Sequence, residues 1–211
     1  MATEAGLRER KKRRTRELIA ETAHRLFTER GFDTVTVAEV AREAEISEGT
    51  VYNYFPTKED LFYAGMEAFE AELVEAVRDR PPGESVPAAF RRFVLDRSAR
   101  LVAADATQVI ATAAHLVGAS PALQKREREI VAHYTHSLAA LVAEETGSDE
   151  HDIEPLVVAS ALMGVQRALV ELVRSLVVEG HSGPRLAARM SSQAERAFAR
   201  LEHGLGDYAT R

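Results

Sequence analysis

No cysteine occurs in the 211 residues. That absence excludes structural disulfides, thiolate nucleophiles and cysteine-ligated zinc together, and a reducing compartment suits everything else in the chain. No segment alternates apolar and polar residues well enough to predict a strand, so the expected fold class is all-α. Internal repeats and low-complexity linkers are missing as well. The basic run near the N-terminus is not followed by an apolar stretch, so it does not read as a secretory signal, and a cytoplasmic location is expected. The longest apolar segment, Leu156 to Val178, is interrupted by Gln166, Arg167, Glu171 and Arg174; a membrane span there is costly, and a buried helix is expected instead. The chain has no phosphate-binding loop, no HExxH and no visible nucleophile-base spacing. Gly204-Leu205-Gly206 is too short and too late to be a dinucleotide fingerprint. No catalytic residue, metal or cofactor is expected.

Positive charge is also short overall. The formal net charge is −6, which argues against a protein that coats nucleic acid indiscriminately, because phosphate contacts need local positive charge. Distribution matters more than the total. Residues 1–60 carry 11 Lys and Arg against 12 Asp and Glu, yet Arg8, Arg10, Lys11, Lys12, Arg13, Arg14 and Arg16 form a dense run with only Glu9 among them. Such a run is usually a solvated tail. Placed before a DNA-reading element, it becomes a phosphate or minor-groove contact.

The stretch from Thr36 to Lys58 supplies such an element. Thr36 followed by Glu39 has capping-box spacing and predicts a helix start, with Val37, Val40, Ala41 and Ala44 as its apolar stripe. Glu45-Ile46 interrupts the pattern, and Ser47, a preferred N-cap, opens a second short helix. Val51 and Phe55 face inward at i and i+4, leaving Glu48, Gly49, Thr50, Tyr52, Asn53 and Tyr54 outside. The arrangement reads as a helix-turn-helix with Ser47 to Phe55 in a DNA major groove. Thr50 suits a base edge or a thymine methyl, Glu48 a cytosine amino group, and Gly49 close backbone approach. Tyr52, Tyr54 and Lys58 suit phosphate oxygens. The competing reading is an amphipathic helical hairpin with a polar outside.

From about Arg14 to Met66 the chain resembles the N-terminal domain of the TetR family of transcriptional repressors. The match runs through Ile19, Ala23, Leu26, Phe27, Gly31, Phe32, Thr36, Val37, Ile46, Ser47, Gly49, Thr50, Tyr52, Tyr54, Phe55, Lys58, Leu61 and Phe62. The resemblance implies DNA contacts for Thr36, Ser47, Thr50, Tyr52, Tyr54 and Lys58. Two positions depart from the family pattern. Glu45 stands where the turn usually has Gly, so either the turn differs or left-handed strain of about 1–2 kcal/mol is tolerated. Ala38, at the exposed end of the first of these helices, offers no polar group to a base.

The expected organisation follows. Residues 1–9 begin a disordered basic arm, 10–56 form a three-helix DNA-binding domain, and 57–211 form a larger effector-binding and dimerisation domain, about nine helices in all. The first helix, from about Arg10 to Arg30, buries Leu18, Ile19, Ala23, Leu26 and Phe27 and stops at Gly31 with Phe32 folded back on Phe27. Thr57 and Asp60 cap a long helix over 57–80 that connects the domains and ends at Pro81-Pro82-Gly83. Further helices are expected over Val86 to Ala104, Ala106 to Val117, Pro121 to Thr146, Ile153 to Glu179 and Pro184 to Tyr208. The penultimate one is apolar around much of its circumference. The last repeats Leu186, Met190, Ala194, Ala197, Leu201 and Leu205. Together they suggest a four-helix interface of a homodimer, as the resemblance also implies, whose two heads would read a palindromic operator; the competing reading is that both are interior helices of a monomer.

The resemblance further implies an apolar effector pocket in the second domain. Candidate lining residues are Tyr63, Met66, Phe69, Phe90, Phe93, Ile110, His115, Tyr134 and Met163, with His115, Gln166 and Arg167 as orienting polar groups. Aromatics at helical spacing are more often core than pocket. Arg167, set among Val165, Ala168, Leu169 and Val170, needs a partner, either a carboxylate or an anionic ligand. His133 and His136 share a helix face without a third ligand, and the acidic loop Ser148 to Asp152 lacks calcium-loop spacing, so both read as solvated surface. The function expected is a ligand-responsive homodimeric DNA-binding repressor released by a small apolar or amphipathic effector. The alternative is a small helical enzyme using pocket histidines.

Overall fold

The computed structural model describes residues 2–99 and 104–205. Among these residues there are ten helices and no strand: α1 (Ala2–Arg30), α2 (Val37–Glu43), α3 (Glu48–Tyr54), α4 (Lys58–Phe62), α5 (Met66–Arg78), α6 (Val86–Ala99), α7 (Ala104–Ala119), α8 (Pro121–Thr146), α9 (Glu154–Val178) and α10 (Gly183–Leu205). The chain forms two compact units. The first runs to Met66 and takes in Leu116–Arg126; the second comprises Glu67–His115 and the chain from Glu127 onward.

In the first unit, α1 supplies the scaffold. Ile19, Ala23, Leu26 and Phe27 are fully buried, and Ile19, Leu26 and Phe27 each contribute about 1.5–3 kcal/mol. Gly31 ends the helix at φ 84, and the rings of Phe27 and Phe32 lie 5.0 Å apart. Two expectations need correction. Leu18 is 46% exposed, because Ile19 is the residue that faces the core. α1 opens at Ala2, where an irregular arm to residue 9 is expected; adding residues to an existing helix is cheap once it is nucleated, and Ala, Glu, Leu, Arg and Lys are good helix formers.

The expected helix over 57–80 is two helices. Thr57 and Asp60 form a reciprocal capping box at the start of α4. The chain then turns through Tyr63 to Gly65, which has φ 95, before α5 begins. Tyr63 donates its hydroxyl hydrogen to the carbonyl of Leu123 at 3.0 Å, Ser120 donates to Asp33 at 2.9 Å, and Arg126 binds Asp60 at 2.8–3.0 Å. Leu116, Val117 and Leu123 join the same core as Phe27 and Phe55. The first unit therefore extends past the expected boundary at residue 56 and recruits the end of α7 and the start of α8.

In the second unit, α10 packs on α6 and α9. Its buried side is Leu186, Ala187, Met190, Ala194 and Phe198, with Phe198 6.0 Å from Phe90 on α6. The apolar stripe expected on the last helix thus serves its own protomer's core. Ala197 and Leu201 are half-buried at its border, and the expected helix end at Tyr208 lies outside the described residues. Arg80 is a buried cation of this unit: it donates to the carbonyls of Val77 and Glu84 and pairs with Glu145 at 2.6 Å.

Candidate nucleic-acid interface

The surface formed by α2 and α3 is built by two caps and one turn. Thr36 is the N-cap of α2, and its side chain and backbone exchange hydrogen bonds with Glu39 in a complete capping box. These bonds from Thr36, and the nearby Arg30 and Arg42, hold the Glu39 carboxyl below its ordinary pKa. Glu45 then adopts φ 55, so the left-handed turn is kept despite the missing glycine. Its amide donates to Arg42 and that of Ile46 to Ala41, closing α2. Val40 and Ala41 from α2 and Val51 from α3 are buried in the shared core, which sets the two helices against each other.

α3 buries Val51 alone within its length, with Phe55 buried just beyond. Ser47 accepts the amide of Thr50 at 3.1 Å, and the two hydroxyls lie 2.8 Å apart, one donating to the other. Glu48, Gly49, Tyr52 and Asn53 are exposed, while Thr50 and Tyr54 are half-buried. Gly49 has no conformational or packing reason to be glycine: its φ is ordinary, and an added Cβ meets only the Ser47 hydroxyl at 3.9 Å. A helical glycine costs about 1 kcal/mol relative to alanine.

Lys58 is placed differently from a free surface cation. Its ammonium donates to the carbonyls of Phe32 and Val35 at 3.0 Å and sits 4.2 Å from the Phe32 ring centroid. An ammonium has three donors, and these two bonds use two of them. Arg16, the last cation of the basic run, donates to the carbonyl of Tyr54 at 3.1 Å and stacks 4.4 Å from Phe55. It ties α1 to the end of α3. Arg8, Arg10, Lys11, Lys12, Arg13 and Arg14 remain exposed along α1.

Residues 19–64 match the family model described as bacterial regulatory proteins, tetR family, and residues 84–205 match a TetR C-terminal model described as MftR C-terminal domain. The second match alone spans more than half of the chain. The chain belongs to the TetR family. It is 28% identical over 170 residues to the transcriptional regulator TcmR of Streptomyces glaucescens, covering 78% of this chain and 75% of TcmR. Its fold is shared with NalD of Pseudomonas aeruginosa, a repressor of a multidrug efflux pump, at TM-score 0.56 and 21% identity over 92% of this chain and 98% of NalD. It is also shared with FadR of Bacillus subtilis, solved with stearoyl-CoA, at TM-score 0.55 and 19% identity over 87% of this chain and 97% of FadR. The chain is a DNA-binding transcriptional regulator of the class that includes ligand-responsive repressors. Family and fold are those of regulators rather than enzymes.

The residues nominated for a TetR-type effector pocket are only partly brought together. Phe69, Phe93 and Tyr134 are buried side by side, with Phe69 5.5 Å from Phe93 and 5.8 Å from Tyr134. Met163 is buried and Gln166 half-buried on α9, whereas His115 and Arg167 are exposed and Met66 belongs to the first unit. Sequence reasoning missed Arg97, whose guanidinium lies 4.9 Å from Phe69 and 5.8 Å from Phe93 and pairs with Glu72 at 2.9 Å. Its signal was available: Arg97 stands at i+4 from Phe93. His133 lies 3.3 Å from Glu70, whose carboxylate also accepts from Ser137. Among the described residues no cluster of three or more metal-ligating side chains occurs.

Proposed function

We propose that the chain is a cytoplasmic homodimeric repressor that reads a palindromic operator through Thr36, Ser47, Glu48, Gly49, Thr50, Tyr52, Asn53, Tyr54 and Lys58, and leaves it when a small apolar or amphipathic effector binds. The observation that carries this reading is the outer face of α3, polar and exposed around a single buried Val51. Glu48 and Thr50 supply base-edge chemistry, and Tyr52, Tyr54 and the third donor of Lys58 supply phosphate chemistry. A lone head of this size binds weakly; two on a two-fold axis read half-sites about 34–36 Å apart or a multiple of that. Supporting the dimer, α9 and its N-cap leave Ile153, Leu156, Val157 and Val178 between 41% and 70% exposed.

The Phe69, Phe93 and Tyr134 cluster supports the effector reading. Three aromatics with a guanidinium over two of them suit an apolar body with an anionic end. An acyl chain carrying an acidic headgroup, such as the ligand in the FadR structure, has that chemistry.

Selection from a random duplex library at physiological salt tests the proposal. An enriched inverted repeat is expected, Thr50→Ala should change the selected bases, and candidate acyl compounds should release the selected duplex. A protein that enriches no sequence, or whose Thr50→Ala variant selects the same site with the same affinity, overturns the residue assignments.

A further inference from the structure

Residues 120–126, at the corner between α7 and α8, hold the segments that enter and leave the α2–α3 pair, and they do so entirely within the first unit. At the entrance, Ser120 is 1% exposed and donates its hydroxyl hydrogen to Asp33 at 2.9 Å, three residues before the Thr36 cap of α2. At the exit, Arg126 directs Nε and Nη2 onto one oxygen of Asp60 at 3.0 and 2.8 Å. The other oxygen of that carboxylate accepts the amide and hydroxyl of Thr57 at 3.0 and 2.8 Å, which is the cap of α4. Lys58 comes next and binds the carbonyls of Phe32 and Val35, in the same loop that Ser120 holds through Asp33. The corner is itself braced. Gln124 donates to the carbonyls of Val117 and Gly118 at the end of α7, and the fully buried Leu123 accepts from Tyr63.

These contacts matter to α3 because it has little hold of its own. Val51 is the only residue buried within its length, so its pose depends on what fixes its two flanks. The side chains of Arg126 and Asp60 are 36% and 16% exposed, and a partly solvated ion pair adds little to global stability. What it fixes is direction: two N–H groups on one oxygen hold the start of α4 in a single orientation. The cap of α4 uses the other oxygen, so it survives without Arg126. We infer that Ser120 and Arg126 are positioning residues for DNA recognition, holding the α1–α2 loop and the start of α4 so that α2 and α3 meet base edges already aligned. The inference rests on the reading of α3 as the DNA-contacting helix. It adds to that site two residues far beyond α3 in sequence, without giving either a contact to DNA. Base contacts are directional and need this preset geometry, whereas nonspecific binding draws on phosphate charge. A head loosened at either flank must be ordered again in each specific encounter, and the penalty falls on the specific complex alone.

The test uses the full chain with R126Q and S120A, a duplex that the wild type selects from a random library, and a random-sequence duplex of equal length. Each variant should bind the selected duplex about tenfold more weakly and the random duplex to within about twofold, at an unchanged salt slope. Without DNA, amide hydrogen exchange should quicken about tenfold in residues 31–36 and 57–62 and keep its wild-type rate in α10. Equal weakening on both duplexes with a shallower salt slope for R126Q would make Arg126 a phosphate contact and overturn the inference. A lowered Tm with the ratio of the two affinities preserved would leave the corner as structural support and overturn it too, as would unchanged exchange at both flanks. A wild-type chain that selects no duplex overturns the reading of α3 itself, and this inference with it, a result distinct from each of the others.

Discussion

The ammonium of Lys58 lies 4.2 Å from the centroid of the Phe32 ring and donates to the carbonyl of that same residue at 3.0 Å. One side chain thus holds the loop between α1 and α2 from the first residue of α4, with Val35 as its second acceptor. The position combines a structural clamp with a remaining donor at the edge of the reading surface.

Replacing Lys58 should accordingly have two separable effects. Lys58→Ala leaves two carbonyls unbonded and is expected to lower stability by about 1–3 kcal/mol. It should also weaken all duplexes alike and reduce the slope of log affinity against log salt by about 0.9 for each phosphate no longer neutralised. Urea unfolding and salt-dependent binding measure the two effects independently. A stability loss with an unchanged salt slope would leave Lys58 as clamp alone.

Glu45 marks where a local rule is broken inside an otherwise consistent element. A non-glycine residue in the left-handed region costs about 1–2 kcal/mol, and Glu45 holds φ 55. Glu45→Gly should raise the Tm of the protein, with the gain limited to about 1 kcal/mol because glycine also loosens the unfolded chain. An unchanged or lower Tm would mean that the glutamate side chain compensates the strain.

Gly49 predicts the opposite trade. An added methyl meets only ordinary contact at 3.9 Å, so Gly49→Ala should stabilise α3 by about 1 kcal/mol. The same methyl stands on the exposed face of the reading helix, and operator affinity should fall by about tenfold, or 1.4 kcal/mol. Thermal unfolding and operator titration on one preparation would show both, and a variant gaining stability at full affinity would remove Gly49 from the interface.

Much of this was legible in the sequence because the signals are local. Thr36-Glu39 and Thr57-Asp60 are reciprocal caps at three-residue spacing, and Gly31 followed by Phe32 stops α1; each needs only neighbours along the chain. What escaped depends on packing between segments far apart in sequence. Leu18 and Ile19 are adjacent and equally apolar, and only the packing partner decides which is buried. The recruitment of Leu116, Val117 and Leu123 to the first unit joins residues more than fifty positions from the nearest head helix. Arg167 and His115 looked enclosed because their neighbours are apolar, but a helix surrounded by apolar residues in sequence still has an outer face.

Acid should weaken the first unit through Glu39. Its folded pKa is depressed below the ordinary 4.5, so its contribution is fully present above the unfolded value and is lost as pH falls through the folded one. Glu39→Gln keeps an acceptor for Thr36 but removes the titration. Urea midpoints measured between about pH 6 and pH 3 should therefore fall less steeply for the variant below pH 4.5. Parallel curves for the two proteins would show that other carboxylates dominate the acid limb.

Gly164 separates the needs of the protomer from those of the pair. It lies mid-way along α9 between Ser160 and Ala168, and a Cβ added there meets nothing within 4 Å. A helix interior gains about 1 kcal/mol when glycine becomes alanine, so the folded protomer alone gives no cause for glycine. Close approach of a second helix does: small residues spaced by four let two backbones come together, and a large one forces them apart. Gly164→Trp should leave the helical content and Tm of the protomer near wild type, raise the dimer Kd by about 100-fold, or roughly 3 kcal/mol, and abolish high-affinity binding to a palindrome while sparing weak binding to a half-site. Sedimentation together with titration of full and half operators checks each part. A Gly164→Trp protein that still dimerises like wild type would show that the α9 face is not where the copies meet.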